Sequence, residues 1–141
     1  MDLVQWTAWD GKTLLESGYS SSGDIIFLRG TNNINLTSSS CFGVVGTDVK
    51  ISGVLDTLID YLTILEGQQI SYNRKFENLF FYADSIFDCS QLILSTFVSP
   101  RCYASLFAGC HNLKSCPNEL PALSLEDYCY AYMFRWCTKL T

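Results

Sequence analysis

Apolar positions in the second half of the chain recur at i, i+3, i+4 and i+7. Tyr103, Leu106, Phe107 and Cys110 follow this spacing, as do Phe76, Leu79, Phe80 and Ala83, and Tyr130, Met133, Phe134 and Cys137. Each set falls on one face of a helix. The sets are themselves 27 residues apart: Tyr103 maps onto Tyr130, Ala104 onto Ala131, Phe107 onto Phe134, Cys110 onto Cys137 and Leu113 onto Leu140. That makes five identities in the twelve positions of 130–141. The same interval upstream gives a more diverged copy, 76–102. There Leu79, Phe80, Ile86, Cys89, Ile93, Val98 and Cys102 align with Leu106, Phe107, Leu113, Cys116, Leu120, Leu125 and Cys129.

Within a copy, the apolar set is followed by a few polar residues and then by Leu113–Cys116, short and extended. Gly109 stands near the end of the expected helix, where a left-handed cap suits glycine. Pro117 and Pro121 preclude a second helix and keep any strand short. The unit therefore reads as a short helix, a turn, a short strand and a return loop. One such unit cannot bury its apolar face alone, and stacked neighbours bury it together. A period in the twenties is the leucine-rich-repeat range. The third copy stops at Thr141, after twelve residues, with no polar cap following it. A fragment, or a short member of a longer-repeat family, is the expectation.

Upstream the pattern changes. Leu3–Trp9 and Lys12–Glu16 flank Asp10-Gly11, a hairpin signal. Asp24–Arg29 reads as a buried strand closed by Gly30, and Asn32-Asn33 as a turn. Cys41–Val45 and Asp48–Ser52 read as short strands around Gly46, with Gly53 breaking the last. Val54–Leu65 then carries Leu55, Leu58, Ile59 and Leu62 on one helical face and ends at Gly67. The fold class expected is mixed α/β: a β-rich region, 1–53, then a capping helix and linker, 54–75, then a leucine-rich-repeat-type solenoid, 76–141. Its copies are 76–102, 103–129 and a partial 130–141. The helix would cover the first open edge of the array.

The 141 residues suit one domain, or a small domain with a repeat tail, and 48% hydrophobic content suffices for a core. No apolar run is long enough to span a bilayer, and the N-terminus lacks the pattern of a signal peptide. The net charge of −5 with scattered basic residues argues against a nucleic-acid partner. Of seven cysteines, Cys89 and Cys116 are equivalent, as are Cys102 and Cys129, and Cys110 and Cys137. Cysteines recurring at one repeat position read as stacked, buried free thiols.

Candidate chemistry is sparse. The single histidine, His111, follows Cys110 in a turn. Adjacent residues in a turn rarely face each other, so a Cys/His nucleophile pair is not expected. Cys110, His111 and Cys116 lack the close cysteine pairs of structural zinc. Asp56 and Asp60, at i and i+4, read as a solvated helix face rather than an acid/base pair. No phosphate loop, dinucleotide fingerprint or Ser/His/Asp order occurs. No catalytic, cofactor-binding or metal residue is therefore assigned, and no cofactor. Asn35-Leu36-Thr37 matches a glycosylation sequon. Trp6, Trp9, Tyr132 and Trp136 remain as aromatics that either anchor a partner or pack on a neighbouring repeat, the second being the expectation.

The segments 102–113 and 129–141, both opening Cys-Tyr-Ala and carrying Phe, Cys and Leu in register, resemble the "CYxxMFxGCTSLT" units of BspA-like leucine-rich-repeat surface proteins of gut bacteria. Residues 116–125 are similar to that family's "APELPATTL" link, 26–30 to an "ISFKG" strand, and 49–58 to a "VSGNIMSL" segment. The resemblance spans roughly residues 24–141. It implies a right-handed leucine-rich-repeat solenoid, exported to the cell surface or beyond, that binds host or matrix components and carries no catalytic residues. The chain departs from the family in its few repeats, in a first copy without the Cys-Tyr start, and in showing no export signal. The functional expectation is a non-enzymatic adhesion module with a protein or glycan partner. Self-association through the third copy is a further expectation. The alternative is a structural spacer or virion-surface component.

Overall fold

A computed structural model describes residues 28–30, 41–69 and 73–141. The expected hairpin over Leu3–Glu16, the strand from Asp24, the turn at Asn32-Asn33, Trp6, Trp9 and the Asn35 sequon lie outside the described residues, except that Leu28–Gly30 runs as irregular chain.

The three expected helices of the repeats are not α-helices. Each is a ribbon of successive turns, over 74–83, 101–110 and 128–137. Every second N–H closes a turn three residues back, as Ala104 to Arg101, Leu106 to Tyr103 and Ala108 to Ser105. The alternate N–H groups leave the copy altogether. Those of Arg101, Tyr103, Ser105, Phe107 and Gly109 donate to the carbonyls of Asp127, Cys129, Ala131, Met133 and Arg135 in the next copy, at 2.8–2.9 Å. An α-helix would spend all these groups internally. The ribbon instead uses half of them to join copies, and that is the physical reason it displaces the helix in a stacked array.

The exchange has a conformational cost. Every fourth residue takes a positive φ: Arg74, Asn78 and Tyr82, then Arg101, Ser105 and Gly109, then Tyr128, Tyr132 and Trp136, all at 54–80°. Only one of the nine is glycine. For the others the left-handed region costs about 1 kcal/mol or more each. The inter-copy hydrogen bonds and the packing between copies offset it.

The ribbons set two aromatic ladders inside the molecule. Phe76, Tyr103 and Tyr130 stack at 5.7 and 5.5 Å between ring centroids, within 12° of parallel. Phe80, Phe107 and Phe134 stack at 5.4 and 5.9 Å. A thiol ladder lies beside them. Cys110 Sγ donates to the carbonyl of Phe80 and Cys137 Sγ to that of Phe107, each at 3.1 Å. Cysteine at this position is thus a small apolar residue with one directed donor. All seven cysteines are free, and Cys89, Cys102, Cys110 and Cys129 are buried.

Short parallel strands form the opposite side. β1 (Val49–Lys50) pairs with β3 (Ile86–Asp88), and β2 (Gly53–Val54) with β4 (Leu92–Ile93). Asp88 bridges onward to Ser115. Ile86 and Leu113, at the expected strand positions, are completely buried. Gly53 does not break the strand expected before it but opens β2, at a φ of 93°, and Cys41–Val45 forms no strand. Residues 42–55 lie against the first copy as a course of their own. Phe42 N–H donates to Leu79, and the Phe42 ring meets Phe80 edge-on at 6.1 Å.

Helix α1 (Thr57–Leu65) starts three residues later than the expected Val54 and is broken inside. Asp60 has extended dihedrals (φ −153°, ψ 100°). The backbone of Gly30 is inserted there: Gly30 accepts from Tyr61 N–H and donates to Thr57. A Cβ on Gly30 would lie 1.8 Å from the Leu58 carbonyl oxygen, so no larger residue fits. The Asp60 carboxylate then caps the second half, accepting from Leu62 N–H at 3.2 Å and from Thr63 Oγ1 at 3.0 Å. Asp56 is buried and holds Lys75 Nζ at 2.9 Å. The solvated acidic face expected from Asp56 and Asp60 is therefore absent: one residue is in a buried ion pair, the other is a helix cap.

Candidate interaction surface

Positive-φ residues point their side chains away from the core, and this creates an outward row on each turn of the ribbon. One row is Tyr82, Gly109 and Trp136, equivalent positions of the three copies. Gly109 has no side chain to hold its neighbours apart. The Tyr82 and Trp136 rings meet across it at 6.1 Å between centroids, tilted by 37°. A Cβ on Gly109 would come within 2.7 Å of Tyr82 Cδ1, on a backbone already at φ 80°. The ring contact requires glycine here, and the positive φ adds strain for any side chain.

Phe81 packs edge-on against Tyr82 at 4.6 Å, and Tyr132 lies one ribbon turn from Trp136. Arg135 places its guanidinium 4.2 Å from the Trp136 ring centroid and 5.3 Å from that of Tyr132. Tyr82 is 50% exposed, Trp136 48% and Tyr132 62%. Large aromatics this exposed, grouped with an arginine, have the composition of an interface core. Trp136 leans back toward the first copy.

A polar corner borders the cluster. His111 Nδ1 lies 2.8 Å from Asp84 Oδ1, and the same oxygen accepts from His111 N–H at 2.9 Å. That backbone hydrogen bond, helped by the side-chain one, lowers the pKa of the Asp84 carboxyl below its ordinary value. Thr138 Oγ1 reaches the His111 carbonyl at 3.5 Å, and Lys139 Nζ the Asn112 side chain at 2.6 Å. Asp84, His111 and Thr138, different residues at one repeat position, thus form a ladder by complementarity. Beyond the corner lies an open cleft of about 410 Å³ bounded by Thr47, Asp48, Ser85, Asn112 and Lys114 among others.

The residues weighed for chemistry are not brought together. His111 faces Asp84, while the Cys110 thiol points inward to Phe80. Burial raises the Cys110 thiol to about 12 and the Cys102 thiol to about 11, far from the depressed values of a reactive cysteine. Among the described residues no group of three or more His, Cys, Asp or Glu could hold a metal ion.

Sequence reasoning missed three features. Lys75 stands at the ladder position of Cys102 and Cys129, yet its side chain is only 1% exposed. Glu77 replaces Ala104 and Ala131 and is buried between Arg101, with Nε–Oε1 at 3.1 Å, and Arg74, at 3.6 Å. Tyr82 is the aromatic that faces Trp136 across Gly109. A charge standing where the other copies carry Cys or Ala was a readable signal. The meeting of Tyr82 and Trp136 was not, because they are two copies apart.

Comparison with known protein families, with curated proteins and with solved structures finds no match for this chain. Among the described residues no helix is long and apolar enough to cross a membrane.

Proposed function

We propose that the protein is a non-enzymatic interaction module, a leucine-rich-repeat-type solenoid of the BspA-like kind. On this reading it belongs to an exported bacterial surface protein and takes a protein or glycan partner on a host or matrix surface. The observation that carries the binding function is the aromatic row Tyr82–Trp136, exposed beside Tyr132 and Arg135. Rigid aromatics offer large contact area at low entropic cost, and tryptophan, tyrosine and arginine dominate binding energy at interfaces. The 27-residue stagger, the continuous aromatic ladders and the parallel strands support the solenoid reading.

The test is a screen of immobilised glycans and matrix proteins with the native chain and with the double variant Tyr82→Ala/Trp136→Ala. Saturable binding by the native chain and a loss of about tenfold or more in the variant are expected, as for removal of interface anchors. Both positions are exposed, so thermal stability should hold. Absence of saturable binding, together with a tight oligomer in solution, would instead favour a structural spacer or particle-surface component.

A further inference from the structure

The Tyr82 ring lies flat across Gly109: a Cβ there would meet its Cδ1, Cε1 and Cγ at nearly equal distances, 2.7–2.9 Å. Tyr82 is half exposed, so the ring turns its other face to solvent. Trp136 flanks it on one side, and the His111 ring on another, at 5.8 Å between centroids. His111 Nδ1 lies 2.8 Å from Asp84 Oδ1, and Asp84 lines the polar cleft. Lys139 Nζ, also at the cleft, donates to Asn112 Oδ1 at 2.6 Å. Rings and cleft thus form one continuous strip, apolar at one end and polar at the other. The cleft, about 410 Å³, falls within the range of roughly 300–1,000 Å³ usual for small-molecule sites.

Several groups of the polar end retain hydrogen-bonding capacity. The side chains of Thr47, Asp48 and Ser85 bond to no described residue. Asp84 gives Oδ1 to His111, while its Oδ2 bonds to no described residue. Lys114 Nζ rests 4.8 Å from the Phe87 ring centroid, with no acceptor among the described residues. Asp48 and Asp84 are matched by Lys114 and Lys139, so the cleft carries no net charge. A protein partner would have to strip water from all these groups, and each one left unmatched costs about 1–3 kcal/mol. A saccharide suits both ends of the strip. Its hydroxyls donate and accept at once, as adjacent carboxylates, hydroxyls and ammonium groups require. The C–H face of its ring is partly positive and suits the negative face of an aromatic ring. A charged sugar would meet a like charge in this cleft as readily as an opposite one, so the balance favours a neutral sugar.

We propose, building on the interaction function above, that this strip binds a neutral oligosaccharide. One pyranose stacks on the open face of Tyr82 beside Trp136. The hydroxyls of the adjoining sugar donate to Asp84 and Asp48 and accept from Ser85 and Lys114. His111 is a positioning residue: it holds one oxygen of Asp84 and leaves the other for the ligand. Gly109 is the other, because only without a side chain there can the Tyr82 ring lie flat with one face outward.

The test is an array of neutral hexose and N-acetylhexosamine oligosaccharides, with enzymatically deglycosylated matrix proteins on the same surface. It is probed with the native chain and with Tyr82→Phe, Tyr82→Ala, Asp84→Asn and Ser85→Ala, each checked for its fold by thermal unfolding. The native chain should bind oligosaccharides and not the deglycosylated proteins. Tyr82→Phe should keep binding, because the ring face is what stacks. Tyr82→Ala and Asp84→Asn should each weaken it by about tenfold or more, and Ser85→Ala by less. Should a variant fail to fold, the native chain still reports by NMR. The captured oligosaccharide should then shift the ring signals of Tyr82 and Trp136 together with the amides of Asp84, Ser85 and Lys114. Capture of deglycosylated proteins alone, lost in Tyr82→Ala/Trp136→Ala, would overturn the saccharide site and leave the interaction function standing. Oligosaccharide binding indifferent to the cleft variants, or shifting the rings without the cleft amides, would also overturn it. Binding to neither class would overturn both the site and the interaction function.

Discussion

Phe107 occupies the centre of one aromatic ladder, fully buried between Phe80 and Phe134. Phe107→Ala removes two stacked contacts and opens a cavity in a ribbon fixed by hydrogen bonds on both sides. Urea unfolding should show a loss of about 3–5 kcal/mol, and a loss under about 1 kcal/mol would place the residue outside the core. Gly109→Ala is costly for two separable reasons, the positive φ and the Tyr82 ring. Combining it with Tyr82→Ala should recover the steric part alone, so the double-mutant cycle should show positive coupling. Among the thiols, exposed Cys41 should react first with a thiol reagent at neutral pH. Cys89, Cys102, Cys110 and Cys129 should react only on unfolding, and rapid labelling of those four would sink the buried-ladder assignment.

At the scale of elements, the ion pair Lys75–Asp56 ties the segment leading into α1 to the first repeat. A buried pair contributes little net stability but is costly to break on one side. Lys75→Met alone should therefore destabilise by about 3–5 kcal/mol, because Asp56 is left buried without its partner. Lys75→Met/Asp56→Leu should return to near the native stability or exceed it. If the double variant is as unstable as the single one, the pair is not what makes the site sensitive. The break in α1 has an equally local cause: Gly30 takes a place in the helix ladder, and Asp60 restarts the helix beyond it.

Across the whole molecule, the buried thiols make stability sensitive to alkali. Burial raises Cys102 and Cys110 from an ordinary 9.0 to about 11 and about 12. Above pH 9 the unfolded chain releases these protons while the folded chain keeps them, so stability falls as pH rises. Below pH 9 both states hold the protons and these groups add no pH dependence. The melting temperature should therefore drop progressively between pH 9 and 11. Replacing both cysteines with alanine should flatten that fall, although it lowers stability at neutral pH through lost packing. An unchanged alkaline slope in the double variant would assign the effect to other groups.

The 27-residue interval, the apolar set of each copy and the recurrence of cysteine were all legible in the chain, because stacking copies makes each position face its own equivalent. Those positions became the aromatic and thiol ladders. The local backbone was not legible in the same way. Over eight residues a four-residue turn ribbon and a 3.6-residue helix place nearly the same side chains inward, so the spacing of Tyr103, Leu106, Phe107 and Cys110 fits both. What decides between them is where the alternate N–H groups go, and that depends on a neighbour 26 residues away. The same holds for the candidate site. Tyr82, Gly109 and Trp136 are ordinary residues in the sequence. They become a surface only when the third copy is laid over the first and the glycine between them leaves the two rings room to meet.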